Sequence, residues 1–168
     1  PLPEEMAERA DLQDVLADPL RWIDWLDRYH ATSTWAPNFA FGLVNARADD
    51  VAQRHWDLSK LRLIVNGGEA VISKTARRFL SLLAPHGLPG NAMQPCWGMS
   101  ETSSGSIFMR DFALDRTSDD DLFVEVGEPL PGMAIRIVDD GNRLVPEGVI
   151  GRLQVHGPNI TSGYFRNP

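Results

Sequence analysis

The chain has 168 residues, 43% hydrophobic and 8% aromatic, enough apolar side chain for one packed core of ordinary domain size. Lys and Arg number 16 against 23 Asp and Glu, a formal charge of −7 with no run of one sign, so no nucleic acid partner is expected. The single cysteine, Cys96, excludes an internal disulfide, and with four scattered His it offers no zinc spacing.

There is no basic start followed by an apolar stretch and a cleavage site, and no apolar run approaches the roughly 20 residues that span a bilayer. The expectation is a soluble, cytoplasmic protein with no membrane partner. The sequence opens at Pro1 without Met and stops at Tyr164-Phe165-Arg166-Asn167-Pro168, which reads as a segment of a longer protein.

Two helices are predicted up to about residue 30. The second starts at Asp18-Pro19, an Asp cap followed by a first-turn proline, and puts Trp22, Ile23, Leu26 and Tyr29 on one face. Thr34 to Phe41 reads as an aromatic loop whose Pro37 blocks ladder pairing, leading into a helix through about Val51. Leu61 to Val65 is a short β-branched run that ends at Asn66-Gly67-Gly68, the pattern of a buried strand breaking into a tight turn.

Ile72, Ala76, Phe79, Leu80 and Leu83 then recur at helical spacing, with the helix ending near Gly87, and a further apolar stretch covers Ala92 to Trp97. Strand, glycine turn, helix and strand make a βαβ unit, whose usual solution is a parallel sheet with ligands at the carboxyl ends of its strands. The acidic stretch Asp115 to Asp121 reads as a solvated loop. From about Leu122 short alternating segments follow, Phe123 to Val126, Met133 to Val138 and Arg152 to Val155, punctuated by Pro129, Pro131, Gly132, Gly141 and Gly148. The fold class expected is α/β, with part of a mixed or parallel sheet flanked by helices over residues 1–120 and a β-rich, distorted-barrel subdomain starting over 121–168.

The stretch Gln94-Pro95-Cys96-Trp97-Gly98-Met99-Ser100-Glu101-Thr102 is dense in groups a nucleotide uses. Trp97 can stack on a base and Gly98 permits close backbone approach. Ser100 and Thr102 can bond phosphate oxygens, and Glu101 can hold a hard cation. Gly67-Gly68-Glu69-Ala70 lies one helix earlier in the same unit, so both turns are expected side by side at the carboxyl edge of the sheet. Cys96 follows a proline in an apolar stretch with no His or Asp at a catalytic spacing, which argues against a nucleophile.

These motifs resemble those of the adenylate-forming superfamily of acyl-CoA synthetases, nonribosomal peptide adenylation domains, luciferases and fatty acyl-AMP ligases. Trp97-Gly98-Met99-Ser100-Glu101-Thr102 is similar to its aromatic-Gly-x-Thr/Ser-Glu motif and Gly67-Gly68-Glu69 to its adenine-contacting turn. Gly151-Arg152-Leu153-Gln154-Val155-His156-Gly157-Pro158 followed by Gly163-Tyr164 is similar to its Gly-Glu-Leu-x-Val-x-Gly…Gly-Tyr motif. Local similarity is nearest to fatty acyl-AMP ligases and the acyl-loading domains of polyketide and hybrid peptide synthases. It is carried by Arg21-Trp22, Arg28 to Thr32, Pro37-Asn38-Phe39-Ala40-Phe41 and Pro95 to Met99. Three positions depart from the pattern: the stretch from Thr102 to Val126-Gly127-Glu128-Pro129 is too short for the insertion of those ligases, Pro95 replaces an Asn or Gln, and Arg152 replaces a Glu.

The resemblance implies ATP and AMP as ligands, held by Gly67, Gly68, Glu69, Ala70, Cys96, Trp97, Gly98, Met99 and Ser100. Gly68, Glu69 and Ala70 would border the adenine, Trp97 would stack on it, and Ser100 would bond the α-phosphate. Glu101 would bind Mg²⁺, which makes Ser100 and Glu101 the catalytic pair. Asn38, Phe39, Gly98 and Met99 would border the acyl substrate. With no acid in Pro37-Asn38-Phe39-Ala40, a non-amino acyl or aryl acid is favoured over an amino acid. The acceptor implied is a phosphopantetheine thiol on a carrier protein or coenzyme A. A phosphate loop upstream and a ribose-binding Asp and catalytic Lys downstream are implied outside this segment. Two other classes fit the same residues: a nucleotide-binding domain without adenylation chemistry, and a structural domain of a megasynthase.

Overall fold

A computed structural model describes residues 12–166. Helices α1 (Leu12–Ala17) and α2 (Leu20–Arg28) lead into strand β1 (Ser33–Ala36), helices α3 (Asn38–Asn45) and α4 (Ala48–Val51), strand β2 (Leu63–Asn66) and helix α5 (Ser73–Leu83). Strands β3 (Met93–Met99), β4 (Ser104–Phe108) and β5 (Glu128–Pro129) follow, then β6 (Ala134–Val138) and β7 (Arg152–His156). The part of the first predicted helix that precedes Leu12 lies outside the described residues.

One sheet has the order β1-β2-β3-β4-β5, parallel between β1, β2 and β3 and antiparallel from β3 to β5. The expected mixed sheet flanked by helices is therefore the fold. Consecutive parallel strands lying side by side are joined by right-handed crossovers, which place the connecting helices on one face. α3 and α5 accordingly pack together. The Phe41 and Phe79 rings meet edge to face at 4.8 Å, and Trp22 of α2 lies 5.7 Å from the first and 6.0 Å from the second. Phe41 and Phe79 are fully buried with Leu20, Ile23, Ile64, Leu80 and Leu83, so this aromatic triad is the centre of the core.

The start of α2 follows the sequence expectation. Asp18 Oδ1 accepts from Leu20 N at 3.3 Å and the Asp18 carbonyl from Arg21 N at 3.1 Å, while Pro19 already has helical φ and ψ. Tyr29 leaves the predicted stripe because α2 stops at Arg28 and His30, at φ 49°, turns the chain away.

Thr34 to Ala36 is not a loop. It forms the edge strand β1, because Pro37 comes after the last paired residue and ends the strand rather than interrupting it. The predicted helix to Val51 divides into α3 and α4 at Arg47, whose φ of −105° and ψ of 30° are not helical. Phe123 to Val126 is not a strand, since the free edge of β4 is taken by Glu128 and Pro129. Arg77 Nε pairs with Asp119 at 2.7 Å, Arg77 Nη1 donates to the carbonyls of Leu114 and Thr117, and Ser73 Oγ donates to the Ser118 carbonyl at 2.6 Å. The acidic loop is therefore solvated but tied to α5.

β6 and β7 pair in register from Ala134 with His156 to Val138 with Arg152, as a two-stranded ribbon. No closed barrel forms among the described residues. Replacing Phe79 by Ala is expected to destabilise the fold by about 3–5 kcal/mol through lost burial and an unfilled cavity, read as a lowered denaturation midpoint at unchanged slope.

Candidate nucleotide and metal site

β2 ends at Asn66 while β3 runs on through Cys96, Trp97, Gly98 and Met99, paired on its other side with β4. The chain leaves β2 through Gly67 and Gly68, the latter at φ 91°, a left-handed value that a side chain would strain. Gly67 is buried directly against Cys96, and a β-carbon added there would overlap the Cys96 sulfur. The two turns therefore touch, as their spacing predicts.

Between them lies a pocket of about 530 Å³ lined by Gly68, Glu69, Ala70, Val71, Ile72, Cys96, Trp97 and Gly98. Its remaining wall is Leu122, Phe123, Val124 and Val126. Sequence reasoning missed this wall by reading it as a strand. Its signal was an apolar run directly after an acidic loop.

Met99, Ser100 and Glu101 stand just past the pocket. Ser100–Thr102 is a single 3₁₀ turn whose first carbonyl accepts from Ser103 N at 3.1 Å. The buried Thr102 hydroxyl braces it, accepting from Met99 N at 3.1 Å and lying 2.8 Å from the Ser104 carbonyl that it donates to. Ser103, at φ 66°, reverses the chain into β4. Ser100 is exposed and Glu101 half-buried at the mouth.

Glu101 Oε1 accepts from the Tyr164 hydroxyl, and this bond first, then a backbone bond, holds the carboxyl below its usual range. Burial pushes the Cys96 thiol up, keeping it protonated at neutral pH and unfit as a nucleophile.

Asn38 and Phe39 do not line the pocket; they form the first turn of α3, latched to its rim. Asn38 is buried, with Oδ1 accepting from Ile72 N at 3.2 Å and from Asn66 Nδ2 at 3.4 Å. Glu69 Oε1 accepts from Phe39 N at 2.5 Å, capping a helix whose own cap residue, Pro37, has no side-chain acceptor.

The residues fit the groups expected. A pocket of this volume with apolar walls, an indole and open backbone suits a heteroaromatic base. Among the described residues no group of three or more His, Cys, Asp or Glu is placed to hold a metal. One carboxylate oxygen pair at the rim suits Mg²⁺, which takes one or two protein carboxylates and completes its shell with phosphate oxygens and water.

A sheet whose parallel strands end in a glycine turn beside an aromatic-Gly-x-Ser-Glu stretch is the architecture of an adenylate-forming domain. The chain belongs to the AMP-binding enzyme family, whose profile matches residues 10–165. The nonribosomal peptide synthetase apvA of Aspergillus terreus is 35% identical over 165 residues, covering 92% of this chain and 17% of its own length. Atromentin synthetase nps3 of Serpula lacrymans is 34% identical with the same coverage. The chain thus spans 17% of the length of these curated relatives.

Among solved structures, the adenylation domain of a keto acid-selecting NRPS module bound to keto acyl adenylate superposes with a TM-score of 0.87 at 42% identity, over 92% of this chain and 34% of that one. McyG A-PCP complexed with phenylalanyl-adenylate gives 0.88 at 39%, over 91% and 24%. The fatty acid AMP ligase of Legionella pneumophila, at 21% identity and 0.79 over 94% and 31%, shares the fold.

The contact between Gly67 and Cys96 yields a double-variant test. Gly67→Ala is expected to destabilise by about 1–3 kcal/mol through overpacking. Adding Cys96→Ala should recover part of the loss, since the Cys96 carbonyl, 3.1 Å from the added carbon, remains; strictly additive midpoints in chemical denaturation would refute the contact.

Proposed function

We propose that this chain supplies the adenine wall and the metal ligand of an enzyme that joins a carboxylic acid to ATP, forming an acyl-adenylate and releasing pyrophosphate. The observation that carries the reading is the single pocket formed by Gly68, Glu69 and Ala70 on one side and Cys96, Trp97 and Gly98 on the other, with Ser100 and Glu101 at its mouth. Trp97 stacks on the base, and the Gly68 to Ala70 backbone borders the edge of the base. Ser100 donates its hydroxyl to an α-phosphate oxygen, and the Glu101 carboxylate holds Mg²⁺.

Bound Mg²⁺ supplies charge neutralisation on the phosphates. A substrate carboxylate oxygen bonds to the α-phosphorus as the bond to the pyrophosphate oxygen breaks, and the electron pair leaves with pyrophosphate. No general base is needed, because the attacking group is already ionised. What the protein contributes is position and a preorganised field. The acyl group then passes to a phosphopantetheine thiol on a carrier protein or coenzyme A, in a cytoplasmic enzyme with the α/β segment and the β-rich segment as successive parts of its large domain.

The substrate is a non-amino acid. A substrate ammonium needs a nearby free carboxylate, and residues 37–41 contain none. The acid nearest that turn, Glu69, is occupied in capping α3. The 42% identical neighbour selects a keto acid and the 39% identical McyG is complexed with phenylalanyl-adenylate, so it is the acid-free turn that carries the preference, and Asn38, Phe39, Gly98 and Met99 would border a keto or related acyl group.

The test is ATP–pyrophosphate exchange by the full-length enzyme with keto, hydroxy, aryl, fatty and amino acids. Exchange is expected with a keto or other non-amino acid. Exchange with phenylalanine alone would overturn the substrate assignment, and none with any acid would overturn the activity. Glu101→Gln should abolish Mg²⁺-dependent exchange; wild-type exchange would remove the metal role. Trp97→Ala should weaken AMP binding by about 1 kcal/mol or more, the worth of a lost aromatic stack, measured by titration calorimetry.

A further inference from the structure

The turn that carries Glu101 is three residues long and has little of its own to hold the carboxylate still. A second segment, far along the chain, grips it. Asn159 Nδ2 donates to the Thr102 carbonyl at 2.9 Å and to Ser106 Oγ at 3.1 Å, and the Asn159 carbonyl accepts from Ser103 Oγ at 2.9 Å. Thr161 N donates to the Glu101 carbonyl at 2.8 Å, and the Tyr164 hydroxyl donates to Glu101 Oε1. Residues 101, 102 and 103 are thus each bonded to a segment more than fifty positions away.

We infer that residues 159–164 form a positioning strap for the metal-binding carboxylate, with Tyr164 as the residue that sets its orientation. The inference rests on the reading that Glu101 holds Mg²⁺. The bond from Tyr164 engages Oε1, so Oε2 is the carboxylate oxygen that remains for a cation. It thereby removes rotamer freedom that an exposed Glu would otherwise lose on binding the metal. Asn159 and Thr161 hold the backbone beneath it, so the carboxylate and its support move together. Thr161 and Tyr164 belong to the segment that continues from β7, so the placement of the β6–β7 ribbon is tied to the orientation of Glu101.

The test compares Mg²⁺-dependent ATP binding with metal-free AMP binding in the full-length enzyme, by titration calorimetry. Tyr164 is exposed, so Tyr164→Phe removes the hydroxyl without disturbing the core. The expected result is an increase of about 10-fold in the Mg²⁺ concentration that half-saturates ATP binding, the usual effect of losing a hydrogen bond to a metal ligand. AMP affinity and melting temperature should stay at wild type. Asn159→Ala should shift the Mg²⁺ dependence in the same direction.

An unchanged Mg²⁺ dependence in Tyr164→Phe would overturn the strap, as would an equal loss of metal-free AMP affinity, which would mark Tyr164 as a general support of the pocket. Glu101→Gln separates the two readings. If it abolishes the Mg²⁺ dependence while Tyr164→Phe leaves it intact, the strap alone falls. If Glu101→Gln itself binds Mg²⁺ and ATP like wild type, the metal role of Glu101 falls, and the strap with it.

Discussion

β3 pairs with two neighbours that run in opposite directions, and the changeover occurs at Pro95. Up to that residue β3 is bonded to β2 in parallel; beyond it, β3 is bonded to β4 in antiparallel. The carbonyl of Pro95 accepts from Met109 N at 2.9 Å, on the β4 side and just past the end of that strand. A strand residue points its nitrogen and its carbonyl to the same side, so the missing amide of Pro95 falls where the ladder has already ended. β2 stops opposite Pro95, and beyond the contact of Gly67 with Cys96 the flank of Trp97 and Gly98 is left unpaired on that side. The pocket occupies this flank. A β2 longer by two residues would fill it with backbone.

The other walls follow from that opening. Gly67 can lie against Cys96 only because it has no side chain, and Gly68 turns the chain sharply enough for Glu69 and Ala70 to come back along the rim. The far wall depends on α5. Arg77 and Ser73 bind the loop from Leu114 to Asp119, and the chain emerging from that anchored loop delivers Leu122 to Val126 to the pocket. Leu122 and Phe123 are 90% and 88% exposed, so burial does not hold them there. Val124 of the same wall packs against the core, so the wall is held by this side chain together with the polar anchor upstream.

Much of the central unit was legible because its signals are local. The β-branched run before Gly67, the 3.6-residue period from Ile72 to Leu83 and the Asp18-Pro19 start depend on neighbours in sequence, and each formed where expected. The elements that were misread depend on pairing between distant segments. Thr34 to Ala36 is a strand because β2 offers it an edge, and Phe123 to Val126 is not one because Glu128 and Pro129 already occupy the edge of β4. Likewise, the two turns of the site could be placed together from the βαβ pattern. The grip of Asn159, Thr161 and Tyr164 on residues 101–103 joins positions that no periodicity links. Only the Gly163-Tyr164 pair hinted that this segment mattered.

The least expected feature is the junction at the end of β2, where polar groups sit in the core. Asn66 is fully buried; its Nδ2 lies 3.4 Å from Asn38 Oδ1, and its own Oδ1 has no hydrogen-bond partner among the described residues. Such an orphan costs about 1–3 kcal/mol relative to a satisfied group, which an apolar side chain at the same position would avoid. What the amide provides is a connection. Asn66 reaches Asn38, Asn38 accepts from Ile72, and Glu69 caps Phe39, so the β2 terminus, the glycine turn and the start of α3 are bonded into one unit. The start of α3 that carries Asn38 and Phe39 and the pocket rim that carries Glu69 and Ala70 are thereby joined by side-chain bonds rather than by chain connectivity alone.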